Sequence, residues 1–112
     1  MTSDNNCVIP DEILSRLGNR YTQLEYLSSG ATSAVFKAHD NILGILVAIK
    51  ILTSTDAKNL VRFQKEAKAL SLVKHPNLVQ ILDFNVTSDN HAYLIMEYVE
   101  GENLRTILNR LG

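Results

Sequence analysis

The stretch Ile45-Leu46-Val47-Ala48-Ile49-Lys50-Ile51-Leu52 is an apolar run with a single lysine set inside it. Such a run reads as a strand, and burying Lys50 within it is costly unless an anion pairs with the ammonium. Glu66, sixteen residues later on a predicted helix, offers one such anion. Nucleotide phosphates are the other economical partner, so the pattern points toward nucleotide binding.

Composition sets the outer limits. At 112 residues the chain has room for one domain with one modest core. Hydrophobic content of 46% and charged content of 21% are those of an ordinary soluble globular protein. Eleven basic against twelve acidic residues leave a formal charge of −1, which gives no bulk attraction to nucleic acid or a membrane surface. Cys7 is the only cysteine, so no internal disulfide forms, and it has no zinc-ligand neighbours. His39, His75 and His91 share no ligand spacing, and no metal-binding residues are assigned. Met1 to Asn6 lacks the apolar core of a secretory signal, and no run approaches the roughly 20 apolar residues needed to span a bilayer. A cytoplasmic, reducing location is the default expectation.

Along the chain the pattern predicts helix, three strands, helix, two strands, helix. Residues 1–9 are polar and expected to fray. Pro10-Asp11-Glu12 opens a short helix with Ile13, Leu14 and Leu17 on one face and Gly18 as its stop; the sequence does not decide where that face docks. Strands are expected over Tyr21 to Leu27 and Ser33 to His39, joined by the small-residue turn Ser28-Ser29-Gly30-Ala31-Thr32. Asp40-Asn41 to Gly44 turns into the strand Ile45 to Leu52. Ser54, Thr55 or Asp56 can cap a helix running to about Lys74, with Leu60, Phe63, Ala67, Leu70 and Val73 on its buried stripe. His75-Pro76-Asn77 ends it. Leu78 to Val86 and Ala92 to Val99 read as strands around Ser88-Asp89-Asn90, and Asn103 can cap a last helix ending near Leu111.

Several of these features together resemble the small lobe of protein kinases. Leu27-Ser28-Ser29-Gly30-Ala31-Thr32-Ser33-Ala34-Val35 resembles the family's glycine-rich loop, and Val47-Ala48-Ile49-Lys50 its third-strand lysine motif. Glu66 falls where the family's pairing glutamate stands. His75-Pro76-Asn77-Leu78-Val79 resembles the link from that helix to the fourth strand, and Leu94 to Gly101 the hinge between lobes. Tyr21 and the Asp40 to Leu43 turn look most like bacterial serine/threonine kinases. The resemblance implies an α+β fold: a five-stranded antiparallel sheet on one long helix, with short terminal helices. It divides the chain into an extension over 1–20 and a small lobe over 21–112, without the large lobe.

The resemblance also implies a site for ATP. Lys50 would hold the α- and β-phosphates, and Glu66 would hold Lys50. Leu27, Val35 and Ala48 would wall the adenine, with Met96 as gatekeeper behind it. Backbone groups of Glu97 and Val99 would read the base edge, and Asn103 would face the ribose. Leu70 and Ile81 would join the apolar column coupling helix to strands. The loop is worn: Ser28, Gly30 and Ser33 stand where the family has three glycines, and serine restricts positive φ, so weaker phosphate binding is expected. The family's His-Arg-Asp and Asp-Phe-Gly motifs are absent; Asp83-Phe84-Asn85 imitates the second but precedes the hinge. The expectation is a truncated kinase, not competent alone and without bound Mg²⁺ unless a large lobe is present. The alternative is a nonenzymatic interaction or regulatory module, and a large lobe or protein partner could act in trans. The isolated lobe is expected to associate or to be marginally stable.

Each residue also has a plainer reading. Lys50 and Glu66 alone could be a structural ion pair, Gly30 a hairpin glycine, Met96 core filler and Glu97 a strand-end carboxylate. Asp83 reads as a surface or turn carboxylate with no chemistry.

Overall fold

The computed structural model describes residues 9–72 and 80–98. Within them the order is α1 (Asp11–Leu17), β1 (Tyr21–Ser29), β2 (Ser33–Asp40), β3 (Ile45–Leu52), α2 (Ala57–Leu72), β4 (Ile81–Val86) and β5 (Ala92–Glu97). The strands form one antiparallel sheet in the order β1-β2-β3-β5-β4, so β3 lies at its centre. This is the expected small α+β architecture, one antiparallel sheet with a long helix on it.

β3 shows why the sheet has a layer on each side. From Val47 to Leu52 every residue is buried, with none of the in-and-out alternation of a half-solvated strand. Ala48 and Leu52 join a cluster with Val35, Phe63, Ala67, Ala92, Leu94 and Met96, on the face that α2 covers. Val47, Ile49 and Ile51 join Ala34, Phe36, Ala38, Tyr93 and Ile95 on the opposite face, covered by Ile13 and Leu17 of α1. Fully burying one side chain such as Ile49 contributes about 1.5–3 kcal/mol. The sheet is thus a shared wall between two cores.

The helices start and stop for local reasons. Asp56 caps α2: its Oδ1 accepts the Lys58 N–H at 2.9 Å, and its own N–H donates to Ser54 Oγ at 3.1 Å. Phe63 and Ala67 face inward, and the Phe63 ring stacks on Phe84 of β4 at 5.9 Å. α1 ends at Gly18, whose φ of +54° lies in the left-handed region and whose N–H donates to the Leu14 carbonyl at 3.0 Å. Its apolar face, left undecided by the sequence, docks on the chain's own sheet.

Several boundaries differ from expectation. β1 runs on to Ser29 because Ser28 and Ser29 pair with Val35 and Ala34, so two residues assigned to the turn belong to the ladder. β2 extends to Asp40, which pairs with Ile45. β5 stops at Glu97, although the Tyr98 N–H still donates to the Leu46 carbonyl at 3.3 Å. The expected end of the long helix with its His75-Pro76-Asn77 stop, the start of the fourth strand at Leu78, Val99, and the terminal helix from Asn103 lie outside the described residues.

Asp40 does more than turn the chain. It is 1% exposed, yet its carboxylate accepts Arg20 Nε at 3.0 Å and Nη2 at 2.9 Å and the N–H groups of Ile42 and Leu43 at 2.9 and 3.1 Å. A buried carboxylate needs that many donors. The Arg20 hydrogen bond, helped by the two backbone donors, holds Asp40 below the usual carboxylate range against the opposing effect of burial. Gly44, at φ +71°, completes the turn.

Candidate functional site

Lys50 sits on the α2 side of β3, between Val35 of β2 and Leu94 of β5 in the ladder. Its side chain is 9% exposed, and its Nζ lies 3.7 Å from Glu66 Oε1 on α2, a carboxylate that is 33% exposed. That separation is an ion contact, longer than a short charge-assisted hydrogen bond. An ammonium this enclosed, with its carboxylate toward the solvent side, is suited to a second anionic partner.

The apolar residues expected beside it converge on the same face. Val35, Ala48 and Met96 are buried members of one cluster, and Leu27 packs against it part-buried. Ala48 and Met96 are direct cross-strand partners, so the gatekeeper candidate lies beside the wall candidate. Ile81 packs against this cluster too, as the apolar-column reading required, while nothing is described of the Leu70 side chain.

Backbone bonding narrows what the polar candidates can offer. The Glu97 N–H donates to the Gln80 carbonyl at 3.0 Å, leaving its carbonyl as the group to meet a base edge. Its carboxylate accepts the Gln80 N–H at 3.4 Å. Val99 and Asn103 lie outside the described residues. In the β1–β2 loop, the Gly30 N–H donates to the Ser33 carbonyl at 2.8 Å and is engaged in the turn itself. The Thr32 carbonyl accepts the Thr53 N–H at 2.8 Å, tying the loop to the end of β3.

The serines of this loop are not placed where a left-handed backbone would be needed. Neither Gly30 nor any residue from Ser28 to Ser33 has a positive φ; the non-glycine residues that do are Gln23 and Asn90 among the described residues. A Cβ at Gly30 would meet nothing within 4 Å. The loop therefore uses small residues without needing glycine geometry.

Sequence reasoning passed over one feature near this site. Lys37, directly across the ladder from Ala48, places Nζ 5.0 Å from the centre of the Tyr98 ring. The lysine's alternation with Val35 on β2 was the available signal. Asp83, by contrast, is an exposed carboxylate on β4 whose Oδ1 accepts the Phe84 N–H at 2.9 Å, which fits the plain reading given it.

Comparison with known proteins agrees with this geometry. The family description "protein kinase domain" matches residues 21–112. A probable serine/threonine-protein kinase of Clostridium perfringens is 41% identical over 99 residues, covering 86% of this chain and 14% of its own length. A serine/threonine-protein kinase of Myxococcus xanthus, pkn3, is 36% identical over 104 residues, covering 89% of this chain and 19% of its own. The serine/threonine-protein kinase PknA of Mycobacterium tuberculosis is 35% identical over 103 residues, covering 86% and 24%. The chain therefore spans a quarter or less of these relatives' lengths. No helix among the described residues is long and apolar enough to cross a membrane.

Proposed function

This chain belongs to the protein kinase family, and from that premise we propose that it forms the ATP-holding lobe of a bacterial-type serine/threonine kinase. Lys50 orients the α- and β-phosphates, and Glu66 fixes the ammonium for that task. Leu27, Val35 and Ala48 enclose the adenine, Met96 bounds the pocket behind it, and the Glu97 carbonyl with Val99 reads the base edge. Ser28, Gly30 and Ser33 let the loop approach the phosphates, and Asn103 faces the ribose. The observation that carries this reading is the enclosed Lys50 ammonium 3.7 Å from Glu66, on the same face as the apolar walls.

Phosphoryl transfer to a serine or threonine hydroxyl further requires a group to receive the hydroxyl proton and carboxylates to hold Mg²⁺. We assign those roles to a large lobe, joined to this one or supplied in trans, and to this chain the binding half of the reaction.

Calorimetric titration with ATP tests the reading. Wild type is expected to bind, and Lys50→Ala to weaken binding at least about tenfold, the loss of one charge-assisted phosphate contact. Equal affinity in the two proteins sinks the site. No binding by either supports instead a nonenzymatic interaction module that keeps the fold. Phosphate transfer to a serine peptide by the purified chain alone would overturn the division of labour.

A further inference from the structure

We propose that α1, which precedes the matched domain, is a positioning element of the nucleotide site, latched through Glu12 to the β4–β5 turn. The proposal rests on the reading that the α2 face of the sheet holds nucleotide.

Two anchors hold α1. The first is apolar: Ile13 and Leu17 are 0% and 2% exposed, in one cluster with Val47, Ile49 and Ile51 of β3 and Tyr93 and Ile95 of β5. Those residues alternate along the same strands with Ala48, Lys50, Leu94 and Met96, which face the other way. Interiors are close-packed and strands share one backbone, so what holds one set in place limits the movement of the other.

The second anchor is polar and long in sequence. The Glu12 carboxylate accepts the Ser88 N–H at 3.2 Å and the Ser88 hydroxyl at 3.0 Å, joining residues 76 apart. Arg16, one turn on, lies 3.9 Å from the same carboxylate. Ser88 belongs to the turn that carries β4 into β5. That turn is closed by the Thr87 N–H donating to the His91 carbonyl at 2.7 Å and by Thr87 Oγ1 accepting the His91 N–H at 3.0 Å. Glu12 therefore clamps the start of the strand that ends at Met96 and Glu97. A helix of seven residues does not persist alone, so α1 is helical only while docked. Docking and the stiffness of β3 and β5 are then one linked equilibrium, and a ligand that tightens those strands favours the docked helix in return.

Amide hydrogen exchange on the full chain, followed by NMR, tests the latch without ligand. Leu17→Ala risks unfolding the chain, whereas Glu12 is part-exposed and its removal leaves the core intact. Glu12→Ala is expected to speed exchange at Ser88 and along Val47–Leu52 and Ala92–Glu97 by about three- to tenfold, the effect of losing one part-exposed hydrogen bond of ordinary net strength. Amides of α2 should stay near their wild-type rates. Glu12→Gln, whose amide oxygen still accepts from Ser88, should restore most of the protection. The ATP dissociation constant of Glu12→Ala should rise by a similar factor. Acceleration confined to α1 and Ser88 would make the helix a passive appendage, and uniform acceleration including α2 would make it only a stabiliser; either result overturns the proposal. If wild type fails to bind ATP, the assigned function falls, while the exchange pattern still decides whether α1 holds the strands.

Discussion

The two faces of the sheet are built from the same strands but treat charge in opposite ways. On the α1 face β3 contributes Val47, Ile49 and Ile51 to a cluster of apolar and tyrosine side chains, and the buried charge in phase with it, Asp40, lies at the end of β2 paired with Arg20. On the α2 face the alternate positions are Ala48, Lys50 and Leu52, and an enclosed ammonium interrupts the cluster. A core built only for stability gains nothing from that lysine, because a well-packed apolar residue is usually at least as stabilising as a buried ion pair. On the proposed reading, the contrast separates the face that holds the fold from the face assigned to a ligand.

Substitutions on adjacent β3 residues give the sharpest way to break that comparison. Ile49→Ala should cost about 3 kcal/mol of stability by cavity formation, read by urea denaturation, with any loss of ATP binding following only from unfolding. A loss of under about 1 kcal/mol would mean the α1 face is not the stabilising one. Lys50→Met should show the reverse: a stability change within about 1 kcal/mol, together with the loss of nucleotide affinity. Strong destabilisation by Lys50→Met would make the Lys50–Glu66 contact structural and collapse the distinction.

Asp40 tests whether charge at the sheet's edge is structural where charge at its centre is functional. Asp40→Ala leaves Arg20 and two backbone donors without their acceptor and should cost about 2 kcal/mol, with ATP affinity of the folded protein unchanged. The acid limb should respond too. Asp40 titrates below its ordinary value of 3.8, so its contribution is fully present above that value and is lost as pH falls through the lower, folded one. Asp89, lowered to about 2 first by its contact with Thr87 and then by His91, behaves in the same sense. A denaturation series from pH 5 to about 2 should therefore fall less steeply in Asp40→Ala than in wild type. Parallel slopes would remove Asp40 from the account.

The smallest effect is expected at Gly30. Its φ is not positive and a Cβ would meet open space, so Gly30→Ala should alter stability by less than about 0.5 kcal/mol. If ATP affinity falls while stability holds, the glycine serves the ligand's approach; if neither moves, it is only a convenient hairpin residue.

What the sequence revealed follows from how far apart the interacting residues lie. Strand β3 was legible with both its ends, and α2 to within a residue or two at its start, because both rest on patterns within one window. Lys50 and Glu66 were legible as a pair because family spacing stood in for distance. Asp40 looked like a turn residue because its partner Arg20 is twenty positions away and nothing local marks it as buried. The docking of α1 was hidden for the same reason, since an amphipathic helix declares that it has an apolar face but not what covers it. The irregularities of β1, where Gln23 takes a φ of 59° and pairing shifts between Thr22 and Glu25, leave no trace in residue type.

One consequence of the doubly covered central strand concerns misfolding. A strand that alternates apolar and polar residues carries its own instruction about which side faces in; β3, apolar on both sides, carries almost none. Slipped by a single residue against β2 or β5, its buried side chains Val47, Ala48, Ile49, Ile51 and Leu52 would still find an oily surface. Lys50 alone would not, because its ammonium would arrive among Ile13, Leu17 and Tyr93 with no carboxylate to meet it. The residue proposed to meet a nucleotide is thus also the punctuation mark that lets the sheet be assembled only one way.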